Sequence, residues 1–146
     1  MSTPDEPQVD LPLGRVPRRS VNRIQSFRHA FSGWWYVLRT QHNAWIHALA
    51  TLIVIPLGLW LQIGLREWGL VAVVIGMVWM AELINTAVEA AVDLASPRLH
   101  PLARVAKDVM AGAVLLAAVT AVVVGMLVLG PPLWARVWPW VLGAQR

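Results

Sequence analysis

Residues 68–93, WGLVAVVIGMVWMAELINTAVEAAVD, form the middle of three apolar runs in this chain. The others cover about 44–65 and 101–129. Each can span the roughly 30 Å hydrocarbon core of a bilayer. Lipid offers the backbone no hydrogen-bond partner, so runs of this kind fold as helices. Composition agrees: of 146 residues, 58% are hydrophobic and 14% charged, where soluble domains carry about 25% charge. Cysteine is absent, which excludes disulfides, thiolate chemistry and Cys-based metal sites. The first run begins near residue 44, too late for a cleaved signal peptide. The net charge of +4 and the pI near 11.1 do not point to nucleic acid, because the arginines cluster at one end and beside apolar segments.

The expected architecture is an all-α membrane protein: an N-terminal amphipathic surface helix followed by three transmembrane helices. Residues 1–19, with Pro4, Pro7, Pro12 and Pro17, read as a disordered tail. Residues 20–130 read as one membrane domain. Ser20 is a candidate N-cap for a surface helix over about 20–40, in which Ile24, Phe27, Phe31, Trp34, Trp35 and Leu38 recur at helical spacing between Arg23, Arg28 and Arg39. Spans follow at about 44–65, 68–93 and 101–129. Pro56 and Gly58 bend the first. Arg66 and Glu67 make the first turn, and SPRLHP at 96–101 makes the second, with Pro97 stopping one helix and Pro101 starting the next. The tail, 131–146, carries Trp134, Trp138 and Trp140 and reads as an interfacial end. Arginine and lysine crowd the N-terminal region and the 94–107 loop, which the positive-inside rule puts in the cytoplasm.

On a helical wheel Glu82, Asn85, Thr86, Glu89 and Asp93 fall within an arc of about 100°. Val78, Leu83, Ile84, Ala87, Val88 and Ala91 are assigned to the other, apolar side. Counting from Trp68 at one interface, Glu82 lies roughly 21 Å along the axis, inside the slab, and Glu89 roughly 31 Å, at its boundary. An acid inside the membrane costs about 2.5–3.5 kcal/mol on insertion scales and needs a partner or a function. A bland alternative makes Glu82 a structural hydrogen-bonder and Glu89 and Asp93 solvated helix-end residues. Four aligned polar groups weigh against it. In the third helix Arg104, Lys107 and Asp108 share a face, which can hold phosphates and a metal ion, though basic residues also occur there for topology alone. Ala111, Gly112 and Ala113 then allow close helix approach. Neither a Walker A sequence nor a Gly-x-Gly-x-x-Gly loop is present, so any nucleotide would bind helices at the membrane surface.

ELINTAVEAAVD at 82–93, followed by AKDVMAGAVLL at 106–116, resembles the signature of the prokaryotic diacylglycerol kinase and undecaprenol kinase family of small membrane kinases. The resemblance covers roughly residues 20–130. It implies a homotrimeric bundle with composite active sites, Mg-ATP as phosphoryl donor, Mg²⁺ as cofactor, a membrane lipid alcohol as acceptor, and a bacterial inner-membrane location. By position, Glu82 would be the catalytic base and Glu89 the metal ligand. Asn85, Asp93, Arg98, His100, Lys107 and Asp108 would hold the nucleotide or organise the site, and Ala111 would contact the lipid substrate. Gln41 falls where the family usually carries a Glu as second metal ligand; its amide oxygen can ligate Mg²⁺ but lacks the charge. Asn43 and His47 fit the undecaprenol-kinase-like branch, while His47 by itself reads as an ordinary interfacial residue.

Two other functions stand beside a lipid kinase: a lipid-binding relative disabled by Gln41, and an ion or proton pathway. Against a pathway, Val71, Ala72, Val74, Ile75 and Val78 give no polar continuation across the outer half of the second span.

Overall fold

The computed structural model describes residues 22–96 and 100–143, with side chains described through Trp138 and Pro139. The expected tail at 1–19, the N-cap at Ser20, and Pro97 and Arg98 lie outside the described residues. Four helices follow in order: α1 (Arg23–Thr40), α2 (His42–Leu61), α3 (Leu65–Ala95) and α4 (Pro101–Gly143). Three of them, α2, α3 and α4, are long and apolar enough to cross a membrane.

Helix α1 turns almost nothing inward except Val37. Ile24, Phe27 and Phe31 stand exposed on one side of it, as befits a helix that rests its apolar face on lipid. Arg39 lies 4.7 Å from the centre of the Trp35 ring, a cation–π contact. One residue, Gln41, both ends α1 and begins α2. Its backbone is extended (φ −102°, ψ 117°), and its N–H bonds the Val37 carbonyl at 2.9 Å. The chain thus turns a corner in a single step.

α2 ends at Gln62, which takes the left-handed conformation (φ 55°, ψ 43°) and donates its N–H to the last carbonyls, at Gly58 and Leu59. Ile63 N–H also returns to Gly58. Arg66 and Glu67, expected to form the turn, are instead in the first turn of α3. The helix restarts at Leu65 because Gln62 has already reversed the chain and Gly64 caps the next element. An acid at Glu67 suits the positive end of that helix.

α3 and α4 pack as an antiparallel hairpin, with α2 laid against the pair. Leu61, Val71, Val128 and Leu129 form the buried core near the α2–α3 turn, joined by Val54, Leu57, Trp68 and Ile75. The inward face of α3 runs Val71, Val74, Val78, Glu82, Asn85, Thr86. Val78 therefore shares the side of Glu82, one turn away, and not the opposite apolar side.

Pro101 opens α4 as expected, and the Leu102 N–H bonds His100 Nδ1 at 3.2 Å, so His100 closes the helix start. The expected end near 129 does not hold. α4 continues through Pro131 and Pro132 to Gly143. The extension is anchored. Arg136 donates to the Trp60 carbonyl, one of the last carbonyls of α2, and lies 5.1 Å from the Trp60 ring centre. Trp134 and Trp138, one turn apart, stack at 4.7 Å.

Candidate active site

The acidic stripe of α3 faces the corner between α1 and α2. Because Gln41 spends no side-chain bond on capping α2, its amide is free to reach across to α3. Its Nε2 donates to Glu89 Oε2 at 3.0 Å. From within α3, Asn85 Nδ2 donates to the other oxygen, Glu89 Oε1, at 3.1 Å. One carboxylate is thus held by two amides, one at each oxygen. The three residues expected at the metal and nucleotide end do converge.

About two turns from Glu89 along α3, Glu82 is 1% exposed. Its backbone carbonyl accepts the Thr86 hydroxyl at 2.9 Å. Neither side-chain oxygen has a hydrogen-bond partner among the described residues, and the same is true of Asn85 Oδ1 and His47 Nε2. Buried polar atoms without partners are uncommon in native structures and mark places built for something else. His47 Nε2 lies 3.9 Å from Glu82 Oε2, and the His47 side chain is 12% exposed. The reading of His47 as an ordinary interfacial residue does not survive this contact, since its ring points at the carboxylate.

Thr51 and Trp79 flank His47. Its carbonyl accepts the Thr51 hydroxyl at 2.8 Å, and that hydroxyl oxygen receives Trp79 Nε1 at 3.4 Å. The Trp79 ring stands edge-on to His47 at 6.4 Å and packs on Trp34 of α1 at 4.8 Å. Trp79 therefore ties α1, α2 and α3 together beside the site. The sequence offered only a weak signal for it, an aromatic one turn before Glu82 within an apolar run.

Further along the stripe, Asp93 Oδ1 meets Lys107 Nζ at 2.6 Å, joining α3 to α4. Asp108 pairs instead with Arg104 of its own helix at 3.8 Å, and both are exposed. His100 caps α4, and Ala111 is exposed. Arg98 lies outside the described residues.

Could this set hold a divalent cation? Among the described residues no three His, Asp or Glu side chains converge. The available donors are the Glu89 carboxylate and the amide oxygens of Gln41 and Asn85. That is too thin for an all-protein cage. It fits an ion of the Mg²⁺ kind, which keeps waters and arrives on phosphates with one or two carboxylates from the protein. The unpartnered Asn85 Oδ1 is such an oxygen, already buried beside Glu89.

Comparison with known proteins gives the same direction. A family model described as prokaryotic diacylglycerol kinase matches residues 28–129. The chain is 40% identical over 117 residues to an undecaprenol kinase of Bacillus subtilis, covering 80% of this chain and 95% of that one. It is 42% identical over 113 residues to a diacylglycerol kinase of Synechocystis, covering 77% of this chain and 65% of that protein. Against the diacylglycerol kinase of Escherichia coli the identity is 27% over 115 residues, covering 74% and 94%.

Proposed function

Since this chain belongs to the prokaryotic diacylglycerol kinase family, a family of lipid kinases, we propose that it transfers the γ-phosphate of ATP to the hydroxyl of a membrane lipid, with Glu82 as the base. The observation that carries this reading is the buried Glu82 carboxylate, both oxygens unpartnered among the described residues, about two turns from an amide-held Glu89. The acceptor we favour is undecaprenol, with diacylglycerol second. The near full-length match to an undecaprenol kinase supports that order.

Phosphoryl transfer needs positioning and charge more than covalent help from the protein. In the proposed reaction the lipid oxygen forms a bond to the γ-phosphorus. The bond from that phosphorus to the β–γ bridging oxygen breaks, and ADP leaves with the electron pair. Glu82 takes the hydroxyl proton. A divalent cation held by Glu89 and the amide oxygens of Gln41 and Asn85 would neutralise phosphate charge when bound. Lys107, paired with Asp93, supplies a cation near the cytoplasmic end of the same stripe. The lipid tail stays among the spans while its hydroxyl meets Glu82. We further propose that the protein is a homotrimer of the bacterial inner membrane, with the N-terminus and the 94–107 loop in the cytoplasm. The distribution of Arg and Lys supports that orientation.

An ion pathway is disfavoured, because the inward face of α3 beyond Glu82 is Val78, Val74 and Val71, all buried and apolar. The test of the kinase reading is transfer of labelled γ-phosphate from ATP by purified protein in lipid with Mg²⁺, offering undecaprenol and diacylglycerol side by side. Labelled lipid is expected from the wild type and its loss from Glu82→Gln. A folded wild type that labels neither lipid would overturn it.

A further inference from the structure

Among the described residues four side-chain polar atoms are buried without a partner, and two of them face each other across a short gap: His47 Nε2 and Glu82 Oε2, 3.9 Å apart. That distance is too long for a hydrogen bond between them. It is the right size for one oxygen atom in between. An oxygen about 2.8 Å from each closes a triangle with an angle of roughly 90° at that oxygen, within reach of hydroxyl geometry. The two flanking groups also differ in kind. A carboxylate only accepts, while an imidazole bearing its proton on Nε2 donates. A hydroxyl has one proton to give and two lone pairs.

We propose that the acceptor's hydroxyl binds between His47 and Glu82, donating to the Glu82 carboxylate and accepting from His47 Nε2–H, so that His47 is a substrate-binding residue for the alcohol. This rests on the reading of Glu82 as the base. One lone pair of the hydroxyl oxygen then faces His47, the proton faces Glu82, and the second lone pair is left to attack phosphorus. The orphaned donor and acceptor are satisfied at once, which is worth more in a buried site than at a surface. His47 is fixed for the task by its place on α2 and by the Trp79 ring edge-on to it. The carbon body of the acceptor has a path away from the hydroxyl. His47 also lines an apolar cavity of about 490 Å³ between α2, α3 and α4, walled by Val78, Ala118 and Val122.

The experiment compares wild type, His47→Leu and His47→Gln in lipid, measuring kcat and separate KM values for undecaprenol and for ATP. Leucine keeps apolar bulk without a donor; glutamine keeps an N–H that can reach. His47→Leu is expected to lower kcat/KM for the alcohol by about tenfold or more, the scale of one lost buried hydrogen bond, with KM for ATP within about twofold of wild type. His47→Gln should recover most of that loss. Wild-type acceptor kinetics in His47→Leu would overturn the proposal while leaving the kinase reading standing. So would equal damage in both variants, or a parallel rise in KM for ATP. A wild type that phosphorylates neither lipid would instead sink the kinase reading, and the proposal with it.

Discussion

At the scale of single residues, Glu82 separates activity from stability. A carboxylate buried without partners costs the fold several kcal/mol if it is charged, so removing the charge should not weaken the protein. Glu82→Gln is therefore expected to lower lipid phosphorylation by about 10²–10⁴-fold, the range of a lost general base, while the thermal midpoint in detergent stays level or rises. A fall in both together would mark Glu82 as a structural residue. Gln41 makes a second case. Gln41→Glu would put a carboxylate where an amide now donates to Glu89 at 3.0 Å. Without a divalent ion the two acids repel; with one they share it. The Mg²⁺ concentration for half-maximal activity should fall several-fold, and melting of the variant should depend on Mg²⁺ more steeply than the wild type does. Unchanged Mg²⁺ dependence would remove Gln41 from the metal site. The acidic stripe was legible in the sequence because it lies on one helix, where spacing alone sets the face. The His47–Glu82 contact was not, since it depends on the angle at the Gln41 corner, which no periodicity encodes.

At the scale of elements, close approach decides what the helices tolerate. A Cβ on Gly58 would meet the Trp68 ring at 3.0 and 3.1 Å and Ile63 at 3.2 Å. Gly58 is thus what lets the start of α3 lie against the end of α2. Gly58→Val should overpack this corner and cost about 1–3 kcal/mol, read as a lower thermal midpoint in detergent. Because Gly58 is remote in sequence from the Glu82–Glu89 stripe, kcat of the protein that stays folded should change little. An unchanged midpoint would mean that Trp68 can move aside freely. The same corner shows where sequence rules fell short. Gln62, a non-glycine residue at positive φ, ended α2 without any of the usual turn residues at its position. The third span was expected to end near 129, yet α4 runs on through Pro131 and Pro132, and Arg136 docks the extension on Trp60 of α2. Proline removes an N–H locally, but tertiary contacts decide whether the helix resumes.

At the scale of the whole molecule, the described chain presents broad apolar faces, with Leu115, Leu116, Met126 and Leu127 of α4 largely exposed. Lipid covers such faces, and so would sister chains. The proposed trimer with sites shared between protomers makes a sharp demand. Two inactive variants, Glu82→Gln and Lys107→Ala, should rescue each other when mixed in one assembly. Each shared site draws Glu82 from one chain and Lys107 from its neighbour, so in random trimers about a quarter of sites are intact in both, and about a quarter of wild-type activity should return. The opposite outcome has its own footing in the structure. Lys107 meets Asp93 of the same chain at 2.6 Å, and Asp93 shares a helix with Glu82. If all of these act within one chain, every site in the mixture carries a defect and no activity returns. Chemical cross-linking of the same mixture to trimers would show that the subunits had exchanged. Trimers without rescue would then assign the whole site to a single chain, and rescue near a quarter would assign it to the interface.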